Sequence, residues 1–355
     1  MKKCYINGLG CISAQKSFGD GFLDEPILYT EENILRVVKP EYKDFISPAA
    51  VRRMSSGVKN GIVASKMAMN EASAEMPDAI ITGTGMGCMQ DSEKFLNNMI
   101  QHDEEYLTPT SFIQSTHNTV GGQIALGLKC KGYNYTYVNT AVSFQSALID
   151  GLMQIQESDS EQVLIGGIEE LAEHTSILYK LIEYTKSDES APYNIFENRT
   201  KGCVSGEGAS FFVLERNKTD NTYCELTDVT FRNQIEQGKI PDFLNKFLKK
   251  NNLEINDIDA VLLGNNGDID FDHYYDDFEK IFSETDFLVY KHLFGDFMTS
   301  SSIALWLASK IIKTNSVPAV LTKNNLEKQQ KEYKNILIYN QYRGKDHSLI
   351  LLNNV

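Results

Sequence analysis

Residues able to do chemistry are plentiful in this chain but seldom grouped. Six cysteines (Cys4, Cys11, Cys88, Cys130, Cys203 and Cys224) are scattered without the paired spacing of a disulfide framework or a zinc site. The run Asp268-Ile-Asp-Phe-Asp-His-Tyr-Tyr-Asp-Asp-Phe-Glu279 puts acids at the first, third, fifth and twelfth places, as a calcium loop does. Its sixth place, where the sharp turn needs glycine, is His273, and its flanks do not read as a helix pair. No metal and no cofactor is therefore expected. The segment Tyr135-Thr-Tyr-Val-Asn-Thr-Ala-Val-Ser-Phe-Gln-Ser-Ala-Leu-Ile149 reads as a buried strand, a tight turn and a helix.

The elements around these residues alternate. Lys3–Gly8, Ala79–Gly83, Tyr135–Asn139, Gln162–Gly166 and Ala209–Leu214 are predicted strands, with helices over Ala49–Met76 and Val120–Leu128. The second half repeats the theme. A helix is expected over Phe243–Lys250, a strand at Ala260–Leu263, an apolar helix over Ser301–Ile312, and closing strands at Ile336–Tyr339 and Ser348–Leu352. This pattern predicts an α/β protein with mixed sheets and helices on both faces. The polar, turn-rich stretch Glu215–Tyr223 is the best seam, giving units 1–215 and 216–355.

Composition narrows the function. The 355 residues suffice for roughly two domains. A formal net charge of −14 argues against nucleic acid, whose binding depends on cations that neutralise phosphates. No apolar run approaches the ~20 residues needed to cross a bilayer. The start, Met-Lys-Lys-Cys-Tyr-Ile-Asn-Gly, lacks the apolar core of a signal peptide, so a cytoplasmic protein is expected.

Five segments in order resemble the β-ketoacyl synthase family. They are Tyr5–Ser13, Leu107–Gly122, the turn around Asn139–Ser143, Leu164–Glu170, and Pro192–Ser210 with its Gly206-Glu-Gly-Ala209 core. The resemblance implies a thiolase-like fold, five layers built from two similar halves, usually dimeric. In the family the turn after the strand carries a cysteine that holds the acyl chain as a thioester. Two histidines assist decarboxylation and stabilise the enolate.

The resemblance places Val142 where that cysteine belongs, and valine has no lone pair with which to form a thioester. The first histidine's place falls on Gly264 or Asn265, after the strand Asp259–Leu263. The second falls on Asp296, in Lys291-His-Leu-Phe-Gly-Asp296, where the family's lysine is retained as Lys291. The family's Gly-Phe-Gly-Gly loop reads Gln341-Tyr-Arg-Gly344. Family members also begin a helix with Asp-x-x-Glu near Asp276 and Glu279, which gives those acids a helix-capping role.

Substitutes for the lost groups are weak. Ser143 is unactivated, and one step along a helix turns it about 100° away from the cleft. His117 and His292 read as ordinary polar or partly buried residues, and Cys203 as a packed thiol.

The resemblance then implies a chain-length-factor-like subunit that pairs with an active ketosynthase and helps shape an acyl tunnel. Phe112, Phe144 and Tyr342 are candidate tunnel residues, with core packing the plainer role for both phenylalanines. Acyl carrier protein would be met through the complex, and aryl-polyene or related polyketide synthesis is the associated setting. Gln145 is three residues past the turn and not at it, which weakens a decarboxylase role. The alternatives are an active acyltransferase with displaced catalytic groups and a homodimeric scaffold on the same fold.

Overall fold

The structure is a computed structural model that describes residues 2–18, 23–157, 159–236, 238–323 and 332–355. Ten strands form its main sheet: β1 (Tyr5–Ile12), β2 (Ala79–Gly83), β3 (Tyr133–Tyr137), β4 (Gln162–Glu169), β5 (Gly208–Glu215), β6 (Cys224–Gln234), β7 (Ala260–Leu263), β8 (Asp286–Val289), β9 (Asn335–Tyr342) and β10 (Lys345–Asn353). Their spatial order is β8-β7-β9-β10-β6-β1-β5-β4-β2-β3.

This order is one five-stranded pattern used twice. In the first half β3 and β2 lie parallel, β2 and β4 parallel, and β4, β5 and β1 antiparallel in turn. In the second half β8, β7, β9, β10 and β6 repeat each relation. Among the described residues the two sets share a hydrogen-bonded ladder where Tyr5 pairs with Glu225 and Ile6 with Cys224. The chain passes from one set to the other between Glu215 and Cys224.

Equivalent helices follow equivalent strands. After the first strand come α1 (Ser56–Glu71) and its counterpart α7 (Ile240–Lys250). The first half then adds α2 (Met89–Gln101) and α3 (Pro109–Gln114) before α4 (Thr119–Leu128). Helix α5 (Ser143–Glu157) follows β3, and α6 (Glu173–Leu181) follows β4. In the second half α8 (His273–Glu279) precedes β8 and α9 (Ser301–Thr314) follows it.

The layers follow from side-chain alternation along each strand. Ile81, Ile165 and Phe212 face inward with Leu262, Ile338 and Ile350 from the other half, around α5 and α9. Ile80, Leu164 and Phe211 face the opposite way onto α1 and α4. Val261, Leu337 and Leu349 pack under α7 and α8. The result is the five-layered thiolase-like fold. Among the described residues no helix is long and apolar enough to cross a membrane.

Three sequence expectations change. The helix expected over Ala49–Met76 is two helices, Pro48–Val51 and α1, broken by the polar Arg52–Ser55. The strand expected to be buried is instead the outer edge of the sheet, with Tyr133 and Tyr135 close to half exposed. Its aromatic and β-branched residues suit any pleated surface, covered or not. The long strand Cys224–Gln234 was not foreseen, because its outer half is polar and exposed.

Candidate functional site

The turn after β3 is shaped by hydrogen bonds and not by an exposed nucleophile. Thr140, at φ +45°, opens a single 3₁₀ turn through Val142 that runs into α5. Its hydroxyl donates to Asp346 Oδ2 at 2.6 Å, and Asn233 Nδ2 donates to the other oxygen at 2.7 Å. The first half's turn is thereby tied to the second half's last hairpin. Val142 is 1% exposed. Ser143 Oγ accepts the Asn139 N–H at 2.8 Å and donates to Thr140 O at 2.7 Å. Ser143 therefore holds the turn closed, with its proton and one lone pair already committed.

The second half supplies a buried polar network at the matching place. Lys291 Nζ meets Asp296 Oδ1 at 2.7 Å, with the two side chains 2% and 6% exposed. Burial works against the Lys291 charge, but Asp296, with Tyr290 and Cys203, offsets it and raises the ammonium's pKa. Asn266 Nδ2 donates to Asp296 Oδ2 at 2.7 Å, and Ser300 Oγ approaches Oδ1 at 3.4 Å. The backbone of Asp296 is held as well, its N–H on Val204 O and its carbonyl on the Gly206 N–H.

Gly264 and Asn265, the two residues expected at the first-histidine position, follow β7 directly. A Cβ on Gly264 would lie 2.0 Å from Asn340 Oδ1, so the Asn340 amide fills the space a side chain there would need. Asn265 is fully buried, and its nearest partner is Asp272 at 3.5 Å. The residue that reaches Asp296 is Asn266, which the sequence did not single out although it lies in the same turn. An amide there donates a hydrogen bond but does not exchange a proton near neutral pH.

Little space remains beside these groups. The cavity next to Asp296 measures about 30 Å³, with Glu169, Glu170, Tyr179, Tyr184 and Met298 among its walls. That volume suits one or two waters, whereas ligand pockets run to roughly 300–1,000 Å³. Glu169 accepts from the backbone N–H groups of Gly85 and Met86, and burial pushes its carboxyl up to about 7.

A two-residue turn closes the hairpin of β9 and β10. Tyr342 pairs with Lys345 across Arg343 and Gly344, whose φ values of +50° and +71° suit a tight hairpin. The Arg343 guanidinium lies 5.6 Å from the Tyr184 ring and 5.5 Å from Phe271. Tyr342 leans on Tyr184 at 6.2 Å.

The other candidates disperse. Phe144 is fully buried against Phe212, in the core. Phe112 sits on the outer surface, 56% exposed, beside Phe95. Cys203 is buried, and desolvation raises its thiol pKa away from the reactive range. His292 bonds Val320 O, and burial lowers its pKa to about 4. His117 is exposed beside Gly87. Gln145 is committed too, its amide donating to Ser301 and Ser348 at 2.9 Å each.

The calcium-like run is spent on internal contacts. Asp272 accepts from the Asn266 and Gly267 amides, Asp276 holds Arg199, and Glu279 holds Lys323. Among the described residues no cluster of potential ligands could hold a metal ion.

Known structures share this architecture. A β-ketoacyl synthase from Burkholderia phymatum STM815 superposes with a TM-score of 0.79 at 16% identity, covering all of both chains. The ishigamide ketosynthase/chain length factor gives 0.78 at 16% identity, covering all of this chain and 99% of that one. A ketosynthase (ApeO) in complex with its chain length factor (ApeC) from Xenorhabdus doucetiae gives 0.75 at 15% identity, over 100% and 98%. At such identities the likeness establishes the fold. The family model described as the β-ketoacyl synthase N-terminal domain matches residues 40–220, more than half of the chain. The chain belongs to the β-ketoacyl synthase family.

Proposed function

We propose that this protein is a catalytically silent ketosynthase-like subunit, of the chain-length-factor kind, that pairs with an active β-ketoacyl synthase and helps shape its acyl tunnel. One observation carries it: at the turn that should present a nucleophile, the side chain is buried Val142. Covalent acyl transfer needs an activated nucleophile and a base, and neither is at hand. Lys291, Asp296 and Asn266 are bonded to one another where the resemblance puts the second histidine.

Structures whose descriptions include a chain length factor supply the analogy. The exposed Phe112 and Tyr342 on the cleft's rim are the side chains available to a tunnel, whereas Phe144 serves the core. Residues 1–215 and 216–355 form the two units, and the carrier protein is met through the complex. The pathway class is fatty-acid-like or polyketide synthesis, aryl polyenes included.

Co-expression with the ketosynthase of the neighbouring gene tests the proposal. A one-to-one complex on size exclusion, condensing malonyl-loaded carrier protein only when both chains are present, is expected. Condensation by this chain alone would overturn it.

A further inference from the structure

Two neighbouring carboxylates grip one connection. Glu169 ends β4 and Glu170 follows it, both buried. Glu169 Oε1 accepts from Thr84 Oγ1 at 3.2 Å and from the Gly85 N–H, and its Oε2 accepts from the Met86 N–H at 3.2 Å. Glu170 takes the Gln90 N–H at 2.8 Å on one oxygen, with Ser56 Oγ and the Gly57 N–H on the other. The stretch between β2 and α2 is thus held at both ends. Every one of these donors is a neutral amide or hydroxyl, so the cost of burying the charge is met by hydrogen bonds and not by a cation.

The held loop is also a wall of the small cavity beside Asp296. Met86 and Met89 line it from the first half, and Met298 lines it from the second. A Cβ on Gly85 would lie 2.1 Å from Met298 Sδ, so the loop backbone rests directly on that thioether. Methionine is unbranched and repacks readily, so this contact parts without moving a strand. Gly87, at φ +72°, gives the loop its left-handed bend before α2.

The ionisable groups facing Glu169 add no positive charge of their own. Glu170 brings a like charge from the same strand end. Asp296 shares the cavity from the second half and is already paired with Lys291. Tyr179 on α6, Tyr184 beyond it and Cys88 at the head of α2 have pKa values raised by burial, so they stay neutral. Despite its hydrogen bonds, burial lifts the Glu169 carboxyl from the usual 4.5 to about 7, with Glu170 adding to the rise.

We infer that Glu169 is a proton-operated latch: neutral, it keeps the 84–88 loop seated on Met298 and the cavity beside Asp296 closed, and ionised, it draws in water and lets the loop lift. The neutral acid still serves the closed loop, because Oε2 has a single donor and can carry the proton while Oε1 keeps Thr84 and Gly85. The direction follows from linkage. The closed state binds the proton more tightly than a wetted carboxyl does, so opening grows as pH climbs from about 4.5 toward 7 and levels off above that. The latch stands on this geometry whatever the site as a whole does.

Amide hydrogen exchange on the intact chain reads the loop directly. After correction for base-catalysed intrinsic exchange, protection of the Gly85 and Met86 amides should fall at least about ten-fold between about pH 5 and about pH 7.5, then level off. The Ile81 amide, inside β2, reports opening of the sheet and should not lose protection over the same rise. Glu169→Gln cannot ionise and should abolish the slope, whatever its level of protection. Matching thermal unfolding midpoints show that it folds, and the wild-type profile decides alone if it does not. With isotopically labelled glutamate, the carboxyl resonance missing from Glu169→Gln should titrate near 7. Flat protection in the wild type, the same fall in the variant, or a Glu169 carboxyl titrating near the ordinary 4.5 overturns the inference.

Discussion

The two halves share every strand relation and differ in what they do with their edges and connections. The first half runs long between equivalent strands, with residues 170–207 joining β4 to β5 where the second half uses the two-residue turn Arg343-Gly344. Its edge strand β3 is bare and half exposed. The second half's edge strand β8 is sealed: Leu288 bridges to Thr322, and the Lys323 N–H bonds Phe287 O. One fold has thus been elaborated outward on one side and closed on the other. A contrast also holds at the two turns of the candidate site, where one half offers an apolar valine and the other a buried ion pair.

The largest effect should come from unbalancing that ion pair. Asp296→Ala leaves Lys291 charged and buried, which should cost about 3–5 kcal/mol in urea unfolding. The double variant Lys291→Met, Asp296→Leu should recover most of that loss, since removing both charges also removes their desolvation. Val142→Ala, at the equivalent turn, should cost only about 1–2 kcal/mol, the loss of two buried methyl groups. Equal costs at the two turns would break the comparison.

The edges give the next test. Leu288→Ala should destabilise by about 2–5 kcal/mol, because the side chain is fully buried in the sealed edge. Tyr135→Ala should change the isolated chain by less than about 1 kcal/mol, since the ring is 49% exposed and its neighbours carry the Asp150 bonds. Unfolding midpoints of the two variants decide this.

Part of the acid sensitivity should come from the second half's hairpin, with buried His292 adding a like share. His347 is fully buried, with Tyr339 and Gly344 O on its two ring nitrogens, and burial lowers its pKa to about 4. The unfolded chain binds a proton at this residue at higher pH than the fold does. Its contribution is therefore intact above about pH 6.5 and is lost as pH falls toward 4. At pH 5 the loss should be about 2 kcal/mol relative to pH 6.5 or above. His347→Gln, which can still donate and accept, should flatten that part of the stability profile.

The sequence was most legible where a segment is buried on both faces. Ala79–Gly83 and Ala260–Leu263 are strands over the very residues foreseen, because short, fully apolar runs between polar turns have few other uses. Legibility failed where composition and environment part company. Tyr and Thr in β3 look like core, and nothing in the string tells whether a neighbouring strand or a second chain covers them. At the candidate site, the residue types at the positions that the resemblance assigns to the thiol and the histidines could be read directly. The Asn266–Asp296 bond joins residues thirty positions apart through turn geometry, and no spacing rule exposes it. The filling of the Gly264 position by Asn340 is hidden for the same reason.

Restoring the nucleophile sharpens the comparison furthest while perturbing the fold least. Val142→Cys replaces one small buried side chain by another and should change stability by no more than about 1 kcal/mol. The new thiol would stand at the start of a helix, which favours the thiolate, but in a site where burial opposes it. The groups where the resemblance puts the second histidine are already committed: Asn266 and Asp296 bond each other, and Asp296 also neutralises Lys291. Alkylation by iodoacetamide should therefore be slow, and condensation with malonyl-loaded carrier protein should stay at background. Fast alkylation with condensation above background would mean that the second half still provides acid–base groups, and that the valine alone had silenced the site.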